Sequence, residues 1–149
     1  MWSNEYIIVN KRETAEVIES YLKNNVDVFT PPLNSRVDIH LFSVKIFQNA
    51  EQFWVLMDEK VIGFMACYFN HPKQEYGFIS TISLKSEFQG KGIGKKLINK
   101  AISYARKNQF KQIQLEVNRN NTKARVFYER LGFTASGSSS QSDFLKLII

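Results

Sequence analysis

Cysteine is almost missing from this chain: Cys67 stands alone among 149 residues, so no disulfide can form within it. Histidine is nearly as scarce, and Cys67, His40 and His71 together make no convincing metal-ligand set. No metal is expected. With no histidine near it in the sequence, Cys67 reads as a packed core thiol rather than a nucleophile. Long apolar runs are absent too. Val61 to Phe69 and Leu145 to Ile149 fall far short of the ~20 residues that cross a bilayer, and the opening residues lack a signal-peptide pattern. We therefore expect a cytoplasmic protein without a membrane partner. No internal repeat or linker interrupts the sequence, so residues 1–149 are expected to form one domain. The one biased segment, Ser136 to Ser142, reads as a loop between two final strands.

Acidic residues are the last shortage. Against 14 Asp and Glu stand 20 Lys and Arg, a net charge of +6, which points to an anionic partner: a nucleic acid, a membrane surface or a phosphorylated small molecule. The lysines concentrate at Lys91, Lys95, Lys96 and Lys100 around a glycine-rich segment, and no aromatic residues alternate with them. That distribution favours a compact phosphate site over a nucleic acid.

What is plentiful is the core: 44% of the residues are hydrophobic and 13% aromatic, enough to bury one at this length. Tyr6 to Val9 is a β-rich run, and Val17, Ile18, Tyr21 and Leu22 recur at helical spacing within Glu13 to Lys23. Pro31 and Pro32 break that pattern. Beyond them, Ile39, Phe42, Ile46 and Phe47 mark a second helix. Phe53 to Met57, Val61 to Phe69 and Tyr76 to Leu84 read as an antiparallel meander turning at Asp58 to Lys60 and at His71 to Glu75. Ile93, Leu97, Ile98, Ala101, Ile102 and Ala105 form an apolar stripe with lysines opposite, the clearest helix in the chain. Gln112 to Val117 alternates as a strand. Asn121 or Thr122 caps a helix carrying Ala124, Phe127, Tyr128 and Leu131, which Gly132 ends, and Phe133 to Ala135 and Phe144 to Ile149 complete the set. The order β-α-α-β-β-β-α-β-α-β-β predicts an α+β fold whose helices cover a largely antiparallel sheet.

The segment carrying the strongest chemical signal is Gln89-Gly90-Lys91-Gly92-Ile93-Gly94, between a strand and an amphipathic helix. Alternate glycines let the backbone turn sharply and approach a ligand without Cβ interference. The first amides of the new helix, at the positive end of its dipole, make an anion site that fits a pyrophosphate. A nucleotide P-loop is excluded, because both its spacing and its Ser/Thr are missing. A dinucleotide fingerprint fits poorly, since its third glycine belongs where Lys95 stands and five residues separate Leu84 from Gly90. Taken alone, the segment is also compatible with a glycine-rich helix entry that binds nothing.

Gln89, Gly92 and Gly94 match the signature of the GNAT superfamily of N-acetyltransferases. A second match lies downstream, where Asn121-x-x-Ala124 leads to Phe127-Tyr128 and Leu131-Gly132-Phe133. The chain resembles that family well from about Phe53 to Phe133, and more loosely in the final strands. The resemblance implies a GNAT-like mixed sheet with helices on both faces and acetyl-CoA as acetyl donor. By the same resemblance Gln89, Gly90, Lys91, Gly92, Ile93, Gly94 and Lys95 would surround the CoA pyrophosphate. Ile82, Ser83 and Leu84 would pair through their backbone with the pantetheine arm, on a strand that in this family carries a bulge and splays from the next one. Asn121 would meet that arm or a bound water, or serve simply as a helix cap. Tyr128 is implied as the general acid that protonates the departing thiolate; its plainer reading is a core aromatic. For the general base, Glu75 is the acid closest to the implied position, with Glu116 or a water chain as alternatives.

The resemblance thus implies direct transfer of an acetyl group to a primary amine in a ternary complex, with no covalent enzyme intermediate. The acceptor is expected against the two helices between Glu13 and Ala50 and the last strand pair, bordered by Phe29 to Asp38. A small molecule such as an amino sugar or amino acid is preferred over a protein lysine. A CoA-binding sensor that transfers nothing is the other class to separate, and the chain is expected to be a monomer or a homodimer.

Overall fold

The computed structural model describes residues 5–149. Its strands are β1 (Ile7–Asn10), β2 (Glu51–Met57), β3 (Lys60–Tyr68), β4 (Gly77–Leu84), β5 (Gln112–Asn118), β6 (Thr134–Ser138) and β7 (Ser142–Ile148). The helices are α1 (Ala15–Asn24), α2 (Ile39–Asn49), α3 (Ile93–Lys107) and α4 (Thr122–Arg130), and two single 3-10 turns link α1 to α2. The seven strands form one sheet in the order β1-β2-β3-β4-β5-β7-β6. Every pairing is antiparallel except β4 with β5. The α+β class and the element order agree with the sequence expectation.

Two apolar clusters lie on the two faces of this sheet, and strand periodicity divides the residues between them. On β2, Phe53 and Val55 join Leu97, Ile98 and Ala101 of α3 and Tyr128 of α4. Trp54, pointing the other way, joins Ile18 and Leu22 of α1 and Ile46 of α2. Because β2 and β3 are covered on both faces, they read as unbroken apolar runs. β5 alternates instead, its Ile113, Leu115 and Val117 buried and Glu116 between them exposed.

Three helices begin with a side-chain cap: Thr14 accepts from the Val17 amide, Asp38 from Leu41 and Asn121 from Ala124. Each such cap contributes about 1 kcal/mol. Helix α3 has Gly92 at this position and no side-chain cap. Its first amides are left for something else.

The terminal hairpin is longer than the sequence suggests. Gly137 and Ser138 pair with Phe144 and Asp143, so the expected loop from Ser136 to Ser142 shrinks to residues 139–141. The Ser139 hydroxyl holds this turn by accepting from the amides of Gln141 and Ser142. Serine and glycine read as loop by propensity, but pairing with β7 overrides that weak preference.

Candidate active site

The site begins where two parallel strands part. β4 and β5 pair only from Gly77 to Ile79 and from Ile113 to Leu115, although β4 continues to Leu84 and β5 to Asn118. A bulge precedes the parting: Cys67 pairs with Ile79 and Ala66 with Thr81, so Ser80 is an extra residue in β4. Bulges bend a strand and re-aim its side chains. Beyond it, Ile82 and Leu84 turn to the α3 side, while Ser83 turns to α1. Ile82, Ser83 and Leu84 keep their pairing with β3 on one side only, which leaves the β5-facing backbone edge open.

The glycine segment follows directly. Gly90 and Gly92 adopt φ of 75° and 85°, and a Cβ at either would meet no heavy atom within 4 Å. Glycine is required there by backbone conformation, and space remains above the turn. Gly94 is different. Its Cβ would lie 3.2 Å from the Phe127 ring, so this glycine lets α3 and α4 approach closely. The Gln89 side chain folds back to donate to the Leu84 carbonyl at 3.0 Å, tying the turn to the end of β4. Lys91 and Lys95 are exposed, and the uncapped start of α3 offers the amides of Ile93, Gly94 and Lys95. This cradle fits a phosphate-bearing ligand.

Tyr128 lies beneath the parting. It is buried, packs edge-on against Phe127 and Phe133 at centroid distances of 5.2 and 5.6 Å, and lies near enough to Cys67 for the two groups to interact electrostatically. Cys67 is the β3 partner of Ile79, the last β4 residue paired with β5. Burial first, and Cys67 second, push the phenol well above its ordinary pKa of 10.0, which favours the protonated form that can give up a proton. Burial likewise pushes the Cys67 thiol up, with help from Glu51. A fully buried, protonated thiol makes a poor nucleophile.

A family profile described as the Acetyltransferase (GNAT) family matches residues 16–133. The chain belongs to the GNAT family. An uncharacterised N-acetyltransferase of Methanocaldococcus jannaschii is 44% identical over 78 residues, covering 50% of this chain but only 34% of that protein. N-alpha-acetyltransferase 30 of Schizosaccharomyces pombe is 27% identical over 121 residues, covering 76% of this chain and 77% of that protein. Among solved structures, the PaiA N-acetyltransferase of Thermoplasma acidophilum in complex with coenzyme A superposes with a TM-score of 0.76 at 16% identity, over 96% of this chain and 99% of the other. At that identity the likeness is one of fold.

Glu75 and Asn121 of this GNAT chain stand where their plainer readings put them, in the turn before β4 and at the cap of α4. Glu75 stands in the turn before β4, exposed enough to ion-pair with Lys111 at 3.0 Å. It precedes the end of β4 that pairs with β5. Glu116 follows Leu115, the last β5 residue paired with β4, and so lies at the parting itself. Asn121 caps α4 through its side-chain oxygen at 3.2 Å, which leaves its amide nitrogen available. Sequence reasoning missed Tyr21, whose hydroxyl lies 2.9 Å from that of Ser83, both groups buried. Burial pushes Tyr21 up to about 12, against the opposing pull of the Ser83 hydrogen bond. Sixty-two positions separate the pair, and no periodicity links them.

Proposed function

We propose that this chain is an N-acetyltransferase that moves the acetyl group of acetyl-CoA to a primary amine, with both substrates bound together. The observation that carries the reading is the parting of β4 from β5 between a glycine-turned, uncapped helix start and a buried tyrosine. The turn amides, with Lys91 and Lys95 beside them, suit a pyrophosphate. The open backbone edge of β4 suits an amide-bearing arm laid along it like an added strand. An amide in Ile82 to Leu84 would then polarise the thioester carbonyl. A relative named as an N-acetyltransferase and a coenzyme A complex of the same fold support this assignment.

The donor supplies an activated acyl group, and the residues supply position and protons. The amine nitrogen bonds to the carbonyl carbon, the carbon–sulfur bond breaks, and the sulfur departs with the bond's electrons. Tyr128, held protonated, donates to that sulfur. The proton released by the amine leaves through water or through Glu116, which lies closer to the parting than Glu75 does. An amide and a free thiol are the balanced products. No enzyme-bound acetyl is needed, in keeping with the inert environment of Cys67.

Thiol release from acetyl-CoA across a panel of primary amines tests this. We expect release that saturates with one class of amine and falls about 10²-fold in Tyr128→Phe, the usual worth of a positioned acid. Tight CoA binding with no release for any amine would point instead to a sensor.

A further inference from the structure

The parting of β4 from β5 leaves the far wall of the cleft held from one side only. Beyond Leu115, β5 has no β4 partner, and Glu116, Val117 and Asn118 pair with Phe144, Asp143 and Ser142 of β7. Val117 is buried on the face covered by α3 and α4, so Asp143, its direct cross-strand partner, projects to that face as well. There Asp143 meets two arginines. One carboxylate oxygen accepts from Nη1 of Arg125 on α4, and the other lies 3.5 Å from Nε of Arg119, the first residue after β5. Arg125 also reaches Glu129 one turn further along α4, with Nε 3.6 Å from that carboxylate.

Helix α4 has little else to fix it. Of its nine residues only Tyr128 is buried, whereas α3 buries Ile93, Leu97, Ile98, Ala101 and Ala105. The side chain assigned as the acid is thus also the main apolar anchor of its helix, helped by Phe127 against Gly94. Charge works against the same helix. Lys123 and Arg125 stand in its first turn with no acidic residue among them, where cations oppose the helix dipole. Asp143 supplies the missing negative charge from β7. Exposed ion pairs usually contribute little, but these two side chains are only 29% and 21% exposed, and they belong to a network of Glu129, Arg125, Asp143 and Arg119. Arg125 and Tyr128 are three positions apart, neighbours on the surface of one helix. What holds the arginine therefore bears on where the phenol stands.

We propose that Asp143 is a positioning residue: through Arg125 it seats α4 against the end of β5 that β4 has left, and so holds the Tyr128 hydroxyl at the cleft. This rests on the transferase reading above for the role of Tyr128 as acid, and adds the group that aims it.

Two measurements test it, one of them independent of turnover. Replacing the six tyrosines by 3-fluorotyrosine gives each a fluorine resonance, and Tyr128→Phe and Tyr21→Phe assign two of them. In Asp143→Asn, and in Arg125→Lys, which keeps the charge but loses the fork, the Tyr128 resonance should shift or broaden. The Tyr21 resonance, from α1 across the sheet, should stay where it is. A Tyr128 resonance unchanged in both variants would overturn the proposal, and so would Tyr128 and Tyr21 resonances that move together, the mark of general loosening. With an amine that gives saturable thiol release, Asp143→Asn should lower kcat about tenfold, as misplacement of a catalytic group does, with little change in the KM for acetyl-CoA. In a Tyr128→Phe background the same substitution should cost less than about twofold more, because the two changes remove one function. Losses that multiply in full would contradict action through Tyr128. No release with any amine would instead remove the transferase reading, and the fluorine resonances would still decide whether Asp143 places the phenol.

Discussion

At the scale of single residues, Tyr128 and the glycines separate roles that a motif lumps together. Tyr128→Phe keeps the ring contacts with Phe127 and Phe133 and deletes only the donor, so CoA affinity should hold while kcat falls; calorimetry alongside steady-state kinetics checks this. Gly92→Ala forces a side chain to φ of 85°, a strain of roughly 1–2 kcal/mol, and brings a methyl into the cradle. Loss of CoA affinity should exceed loss of stability. Gly94→Ala should do the reverse, since its Cβ presses on Phe127 at 3.2 Å, and comparison of thermal midpoints with CoA dissociation constants distinguishes the two. Gln89, Gly92 and Tyr128 stand out in the sequence because the motifs fix their spacing. Thr81 does not, because what sets it apart is a buried hydroxyl without a partner, which only the folded chain defines.

At the scale of elements, the helices, the meander and the glycine turn followed from apolar period and turn residues. The parting of β4 from β5 came from the family resemblance and not from that pattern. It depends on a one-residue bulge at Ser80, in a run, Tyr76 to Leu84, that looks uniformly β-forming. Alternation read through that run would put Ser83 on the wrong face. The bulge shifts it towards α1, where Tyr21 meets it. This hydrogen bond fixes the open end of β4 from behind. Tyr21→Phe and Ser83→Ala should each cost on the order of 1 kcal/mol, and the double variant little more than either alone, in a denaturant double-mutant cycle. Both should also raise the KM for acetyl-CoA more than they lower kcat, an effect that loss of packing elsewhere would not produce.

At the scale of the whole molecule, burial has a pH signature. Tyr21, Tyr128 and Cys67 are all raised above their ordinary values by desolvation. The unfolded chain therefore releases these protons first. Their stabilising contribution is complete below roughly pH 9 and is lost as pH climbs through the folded values, about 12 for Tyr21. The urea midpoint should decline between pH 9 and 11, and decline less steeply in Tyr21→Phe. The net charge of +6 likewise acquires a specific sense if lysines crowd a phosphate cradle at the start of α3.

The cradle and the open edge of β4 make one demand that precedes all others, which is that the folded chain bind CoA. Thermal unfolding in a CoA titration tests it directly. A ligand that binds only the native state stabilises it by about 2.7 kcal/mol at a hundredfold excess over its dissociation constant, or roughly 5–10 °C for a protein of this size. A midpoint that rises along such a curve, and rises less in Gly92→Ala, is the expected result. An unchanged midpoint at millimolar CoA would contradict the assignment of this site.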